Sequence, residues 1–310
     1  MKRFNNILVV VKGEDEPETN PAVIRAAALA RQNSASLTLM DVVHPPESNM
    51  SELKGIIEPD ELLALLVNQR HAALTAVAES LAGLNNVEVK IAVGRDFIEI
   101  VRQVILAGHD LLIKVANEHA DNFDSSDFHL MRKCPQPVWL LKPAADSKAQ
   151  KILAAIDLNL EDHEEGRALN AMIMDLATTL ASEDDSELHV LSCWSLYGES
   201  SLRNSAFMRV SEERITELLD SERRANQALQ DALVSRYQAQ AIHTHLLKGS
   251  PVDLIPQFAR ANHVSAVVMG TVARTGVPGL LIGNTAEEIL RLIDTSVITL
   301  KPSGFESPVK

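Results

Sequence analysis

The stretch MGTVARTGVPGLLIGNTAEEI, Met269–Ile289, holds four of the chain's thirteen glycines, at 270, 276, 279 and 283, and sets Arg274 between Thr271 and Thr275. Glycines allow positive φ or a close backbone approach, so Gly270 and Gly276 suit an arc whose N–H groups face a ligand. Gly283-Asn284-Thr285 then opens a helical run, and the first N–H groups of a helix have no intrahelical partners. An anion seated there gains hydrogen bonds and the favourable end of the helix dipole. Arg274 adds a charged donor. The chemistry of this stretch is therefore a grip on phosphate. The same residues support a second reading. Thr285 with Glu288 three positions on is a capping box, which satisfies the same donors without a ligand. Glu287 and Glu288 would also repel phosphate mildly. The sequence leaves both open.

The elements that position this loop come in a repeating order. NILVVV (Asn6–Val11) is a continuous apolar run of the kind buried on both faces of a parallel sheet. PAVIRAAALARQN is helical in spacing, SLTLMDVV is a strand, and PDELLALLVNQRHAALTAVAESLAGL is a long amphipathic helix with acids in its first turn. VEVKIAVG, DFIEIVRQVILAG, DLLIKVA and PVWLLK follow as strand, helix, strand and strand. From Lys151 the order returns. KILAAIDL matches the first strand, LHVLSCW the second, AIHTHLLKG the third, SAVVMG the fourth and TSVITLKP the fifth. The second long helix is SEERITELLDSERRANQALQDALVSRY, and PVDLIPQFARAN answers DFIEIVRQVILAG. Lys142-Pro143 and Lys301-Pro302 close the halves alike. The expected architecture is α/β, with two tandem doubly wound, Rossmann-like domains, 1–145 and 150–310, each with a five-stranded parallel sheet. The polar stretch Ala144–Gln150 is the expected boundary. Ligands in such sheets sit beyond the carboxyl ends of the strands, where the strand order reverses. That puts Asp157, Cys193, Gly249 and the Met269–Asn284 loop on one rim of the second half.

Composition narrows the partners. The chain has 310 residues, 46% hydrophobic and 23% charged, which fits a soluble folded protein of two domains. A formal charge of −13 argues against nucleic acid or an anionic membrane, both of which need a basic face. Aromatic residues are only 4%, too few for stacking platforms. No apolar run has the length of a membrane span or a secretory h-region, and two cysteines in different halves make no disulfide framework. The expectation is a cytoplasmic protein.

The repeated unit resembles the universal stress protein family, over nearly the whole chain. In the second half the resemblance rests on Asp157 ending the first strand, on Gly249 followed by Pro251 and Ile255, and on the glycine loop. Nucleotide-binding members carry a glycine, two residues, a glycine, nine residues, then glycine and serine or threonine. Here that register gives Gly270, Ala273 and Gly283-Asn284, with alanine for one glycine and asparagine for the hydroxyl residue. DFHLMRKCPQPVWLLKP, GHDLLIK, MGTVARTG and GNTAEE make the chain similar to tandem-type members. The resemblance implies two domains about a pseudo-twofold axis, association between copies, and a role in surviving stress, including DNA-damaging or oxidative conditions. It also implies ATP or a related nucleotide as ligand, with Mg²⁺, bound in the second half. The residues it points to are Ala155, Asp157, Cys193, Met269, Gly270, Ala273, Arg274, Gly276, Gly283, Asn284 and Thr285. The expected role is a non-catalytic sensor or scaffold. A slow ATPase, or a binder of another phosphorylated or acyl-bearing metabolite, remains the alternative.

The first half departs from this pattern. Lys12 stands where the second half has Asp157, a reversal of charge. No glycine lies between Gly108 and the end of that half, so the same backbone cradle cannot form. Glu118, His119, Asp121, Asp124, Asp127 and His129 crowd the corresponding stretch. Their spacing matches no metal-ligand pattern, and acids ahead of a short helix cap it. His243 and His245 share one strand face, open to metal binding or to ordinary packing. Arg132 and Lys133 beside Cys134 raise the idea of a lowered thiol pKa, against a simply packed cysteine. No P-loop, dinucleotide fingerprint or Ser-His-Asp arrangement is present. An isolated fifth strand, PVWLLK or SVITLK, would be an exposed apolar edge, so both are expected to be covered by contact between halves, between chains, or both.

Overall fold

The computed structural model describes residues 3–12, 19–46, 57–81, 83–84, 86–116, 123–142, 149–204, 210–237, 241–271 and 283–310. The first half runs β1 (Asn6–Val10), α1 (Pro21–Asn33), β2 (Ser36–Val43), α2 (Pro59–Ser80), β3 (Val87–Val93), α3 (Asp96–Ala107), β4 (Leu111–Val115), α4 (Ser125–Lys133) and β5 (Val138–Leu141). The second runs β6 (Lys151–Ile156), a short 3-10 turn (Leu158–Leu160), α5 (Glu164–Asp184), β7 (Glu187–Trp194), α6 (Glu199–Asn204), α7 (Glu212–Val234), β8 (Ile242–Lys248), α8 (Pro251–Ala261), β9 (Ala266–Gly270), α9 (Asn284–Leu292) and β10 (Ser296–Leu300). The expected strands and long helices are present with shifts of a few residues at their ends. Helices α5 and α6 are additions to the sequence reading.

Local chemistry sets the ends of the helices. Asn20 caps α1, its side-chain oxygen accepting from Ala22 N and Val23 N, and Pro21 supplies the first helical φ. Helix α3 stops at Gly108, which takes the left-handed conformation at φ 66°.

The strands form one ten-stranded sheet in the order β3-β2-β1-β4-β5-β10-β9-β6-β7-β8. Each half keeps the doubly wound order 3-2-1-4-5, reversing between β1 and β4 and between β6 and β9. Every pair is parallel except β5 with β10, which run antiparallel with Leu140 opposite Val297, Trp139 opposite Ile298 and Val138 opposite Thr299. The two expected five-stranded sheets are thus joined edge to edge, and contact between the halves covers both fifth strands.

Alternation along the strands builds two apolar layers. Ile7, Val9, Leu37, Trp139, Ile152 and Ile298 pack with residues of α1, α2, α5 and α7. Leu8, Val10, Leu140, Leu153, Val267 and Val297 pack with α3, α4, α8 and α9. Both layers run unbroken across the join. Polar contacts cross it as well. Arg25 Nη1 of α1 meets Asp184 Oδ1 of α5 at 2.6 Å, with both side chains buried. Arg132 of α4 meets Glu287 of α9 at 2.6 Å.

All five residues of β10 are buried, and residues 150–310 made alone would expose that edge with its unpaired N–H and C=O groups. The isolated segment is expected to dimerise or aggregate at micromolar concentration. A stable, monodisperse monomer by light scattering would contradict this account of the join.

Candidate functional site

The second half's strand order reverses between β6 and β9, where Ala155 lies opposite Met269. Ala155 and Met269 are buried, and Cys193 packs in part against the same apolar cluster, on the side covered by α8 and α9. They form a wall beneath the rim. Asp157 follows β6 directly and turns the chain. Its Oδ1 accepts from Asn159 N at 3.1 Å and Asn159 Nδ2 at 2.9 Å, capping the 3-10 turn. Asn170 of α5 fastens that turn further, its Nδ2 donating to Asp157 O at 3.0 Å. The turn-cap alternative for Asp157 is therefore realised. It does not use up a carboxylate, which can accept several bonds. Asp157 also acts on Cys193: burial first, then this nearby negative charge, push the thiol up to about 11. Cys193 is thus a neutral thiol at physiological pH.

Gly270 ends β9 close against α5. A Cβ there would come within 2.7 Å of Leu169 Cδ2, so the glycine serves helix–sheet packing. Thr271 is fully buried, and both its N–H and its hydroxyl donate to Leu300 O, at 3.1 and 3.3 Å. Its carbonyl accepts from Gly283 N at 2.8 Å. The chain thus leaves the sheet at Thr271 and returns to the same spot at Gly283. Ala273, Arg274 and Gly276 of the expected phosphate grip lie outside the described residues.

The expected capping box at Thr285 and Glu288 is corrected. The N-cap of α9 is Gly283, extended at φ −75° and ψ 144°, and among the described residues no side chain caps the helix. The hydrogen bond to Thr271 fixes Gly283 in that role and starts the helix at Asn284. Thr285 is then the second helical residue, past the position from which a hydroxyl reaches back to cap. Asn284 and Thr285 are both exposed at the opening turn. The expected repulsion from Glu287 is also tempered. Its carboxylate bonds Arg132 at 2.6 Å and Arg291 at 2.8 Å, and these bonds hold its pKa below the usual carboxylate range.

The matching helix in the first half, α4, is closed by its own acids. Asp124 Oδ1 accepts from Asp127 N at 2.7 Å, and Asp127 Oδ2 accepts from Asp124 N at 3.4 Å. Asp127 is fully buried, and its Oδ1 accepts from Lys114 Nζ at 2.7 Å. Lys114 is the β4 counterpart of Met269. A protein carboxylate, neutralised by a buried lysine, therefore occupies the place where α9 carries no cap. Glu118, His119 and Asp121 lie outside the described residues. His129 packs against Phe97, with ring centroids 4.4 Å apart.

Two residues emerge that the sequence did not mark for the site. Lys301, just after β10, is 4% exposed and donates to Thr271 Oγ1 beneath the ends of the glycine segment. Burial pulls its pKa down to about 7. Its one sequence signal was the repeated Lys-Pro. His189 of β7 joins His243 and His245 of β8 in a stack, at 5.0 and 5.2 Å, with His189 Nδ1 3.0 Å from His245 Nε2. Burial lowers the pKa of His189 and His245, against the pull of Glu187 on His189. Among the described residues no three His, Cys, Asp or Glu side chains are placed to hold a metal ion. Cys134 is corrected as well. It is fully buried, and burial pushes its thiol up to about 12, overriding the basic residues beside it.

Two doubly wound halves sharing one sheet define a tandem α/β protein. The chain belongs to the universal stress protein family, whose profile matches residues 3–142 and again 148–301. It is 29% identical over 323 residues to universal stress protein E of Escherichia coli K12, covering 100% of this chain and 98% of that one. It is 24% identical to the universal stress protein E homolog of Haemophilus influenzae, covering 97% and 98%. Among solved structures, it resembles a putative universal stress protein from Pseudomonas aeruginosa with a TM-score of 0.74 at 24% identity, covering 98% of this chain and 95% of that one. A universal stress protein from Archaeoglobus fulgidus gives 0.65 at 14% identity, covering 96% and 99%. No helix among the described residues is long and apolar enough to cross a membrane.

The buried lysine makes a pH prediction. In the unfolded chain Lys301 holds its proton up to about 10.5, whereas in the folded chain it releases it near 7. Between those values the unfolded state binds more protons, so this residue makes stability rise with pH. Urea unfolding of wild type and Lys301→Met, from neutral pH to pH 10, should show the variant's stability advantage shrinking as pH rises. A constant gap would mean that the lysine is not titrating in that window.

Proposed function

We propose that the second half, 150–310, binds ATP or a related nucleotide, with Mg²⁺ accompanying the phosphates, and that the first half, 1–145, does not. The observation that carries this reading is the contrast between α9 and α4. Among the described residues helix α9 begins at Gly283 without a side-chain cap, whereas α4 begins with Asp124 and Asp127 already in place. Unsatisfied N–H groups at a helix start favour phosphate oxygens. A buried carboxylate paired with Lys114 has the same charge as phosphate and excludes it. On this reading Asp157 lies at the nucleoside end, with an acceptor for ribose hydroxyls, and Ala155, Cys193 and Met269 form the floor. Gly270 and Gly283 mark the two ends of the phosphate segment, Asn284 and Thr285 offer its helical N–H groups, and Ala273, Arg274 and Gly276 complete it.

The protein then acts as a stress-response sensor or scaffold in the cytoplasm, reporting occupancy through its surfaces and through association with further copies. Hydrolysis would require a base placed on the attacking water and neutralisation at the γ-phosphate. Asp157, at the nucleoside end on this reading, is not such a base, so binding is favoured over catalysis.

Calorimetric titration of the full chain with ATP and Mg²⁺ is expected to give one site per chain, with ATP bound more tightly than AMP and adenosine weakest. Gly283→Val should abolish binding, because a β-branched side chain would crowd the helix start. Asp157→Ala should weaken it by about 1.5–3 kcal/mol, the worth of a hydrogen bond to a charged group. Two equivalent sites, or binding indifferent to Gly283→Val, would overturn the proposal. If Asp157→Ala lowered thermal stability alone, the carboxylate would be a turn cap only.

A further inference from the structure

Away from both clefts, the join between the halves holds a cavity of about 320 Å³. Its walls come from α1 and β5 of the first half and from the amino-terminal ends of β9 and β10 of the second, with Arg25, Trp139, Leu141, Ser265 and Ser296 among them. Both halves are needed to form it.

Two of the lining residues carry buried donors without acceptors. Arg25 is 2% exposed. Its Nη1 is taken by Asp184 at 2.6 Å, but among the described residues its Nε and Nη2 have no hydrogen-bond partner, and neither does Trp139 Nε1. The donors form one group, since Arg25 Cζ lies 4.7 Å from the centroid of the Trp139 ring. Buried donors in folded proteins are nearly always satisfied, so three in one place call for an acceptor. Which two guanidinium nitrogens are unpaired matters. Nε–H and the adjacent Nη2–H point the same way along one edge of the planar group, and that edge matches two oxygens of a carboxylate or phosphate with parallel bonds. The indole nitrogen is a donor only and cannot serve any other kind of partner.

We infer that this cavity is a second ligand site, for a small oxyanion (a carboxylate- or phosphate-bearing molecule) gripped by the free edge of Arg25 and by the indole N–H of Trp139. Asp184 neutralises Arg25 from the other side, and Asp294, which also lines the cavity, is held by Arg260 at 2.9 Å. Lys142 also lines the cavity, and burial lowers its pKa from the ordinary lysine value, so the lining carries at most one cation beyond these pairs. The site suits a compact anion held by directed hydrogen bonds rather than a polyphosphate held by field. Such a ligand would bridge α1 and β5 to the second half at the join, independently of the nucleotide cleft.

The two tryptophans provide the test. Trp139 lines the cavity, while Trp194 is on β7, three strands from β10 in the sheet. Full-length ¹⁵N-labelled protein is titrated with inorganic phosphate, and separately with acetate, at constant ionic strength. The Trp139 indole resonance, assigned with Trp139→Phe, is expected to shift saturably, and the stronger of the two anions identifies the favoured oxyanion. Arg25→Lys keeps a cation for Asp184 but has no two-nitrogen edge, and it should abolish the shift. If that variant does not fold, Trp139→Phe carries the test through phosphate-dependent melting. Its thermal midpoint should gain less from phosphate than that of the wild type. The proposal is overturned if neither anion moves the Trp139 resonance, as expected if waters or a swing of Glu183, whose buried Oε2 also has no partner, satisfy Arg25. It is overturned equally if Arg25→Lys responds like wild type. A shift of Trp194 alone would place the anion in the other cleft.

Discussion

Strand β5 pairs within its own half only with β4, and β10 only with β9, so each half would end in an open edge. The antiparallel pairing of these two strands removes both edges at once. It is short, yet much of the molecule depends on it. It lets the apolar layer on each side of the sheet continue from one half into the other, so Trp139 and Ile298 belong to one cluster and Leu140 and Val297 to the other. It also brings α1 against α5, where the Arg25–Asp184 pair is taken out of water. Removing two charges from water is costly, and a buried pair is weak evidence for stability. Asp184 gains a further partner in Ala149 N at 3.2 Å, at the chain's entry into the second half. The pair is best understood as fixing how the halves meet.

On this common frame the halves differ at a few positions, and charge accounts for most of the difference. Lys12 replaces Asp157, Lys114 replaces Met269, and Asp127 closes α4 where no described side chain caps α9. The first-half changes form one set. A buried lysine needs a buried acid, and that acid is available because it also suits a helix N-terminus. Once Lys114 and Asp127 are paired, a phosphate at α4 would have to displace a neutralised carboxylate. The second half has no such pair, and its nearest acid, Glu287, is held by Arg132 and Arg291.

Most of the frame was legible in the sequence. Runs such as NILVVV and KILAAI have no polar residue to alternate with, so they read as strands covered on both faces, and β1 and β6 are such strands. The repeat from Lys151 set the same succession of five strands in each half, though not their order across the sheet. The join was legible only as a need, because apolar edges must be covered but the pattern does not say by what. At the rim, Asp157 and Gly270 stand where the pattern placed them, at the ends of β6 and β9, with a turn cap and close helix packing as their visible roles, and the reading misled where one residue of register decides. Thr285 and Glu288 have capping-box spacing, but Gly283 is held by Thr271 O, and the helix starts earlier. Basic neighbours in sequence suggested an activated Cys134, whereas burial governs its thiol. Arg25, His189 and Lys301 were not marked, because their partners lie on other elements and no local spacing announces them.

The first half is more than a spent copy of the second. Arg132 belongs to α4, the helix closed by Asp127, yet it reaches α9 and neutralises Glu287 in the turn where a phosphate would be placed. Lys301 follows the strand that pairs with β5, and it donates to Thr271, whose carbonyl holds Gly283. Both routes into the candidate phosphate turn therefore run beside the join, on the side of the sheet covered by α4 and α9. A change in how the halves meet would move the Arg132–Glu287 pair and the Thr271–Gly283 closure together, since each is anchored on an element that touches the other half. A packed join resists small continuous adjustment. Through Arg132 the first half thus sets part of the electrostatics at the start of α9, while it keeps a cavity of about 380 Å³ at its own switch point, lined by Val10, Lys12 and Lys114 among others, which gives a physical reason for keeping both halves in a single chain.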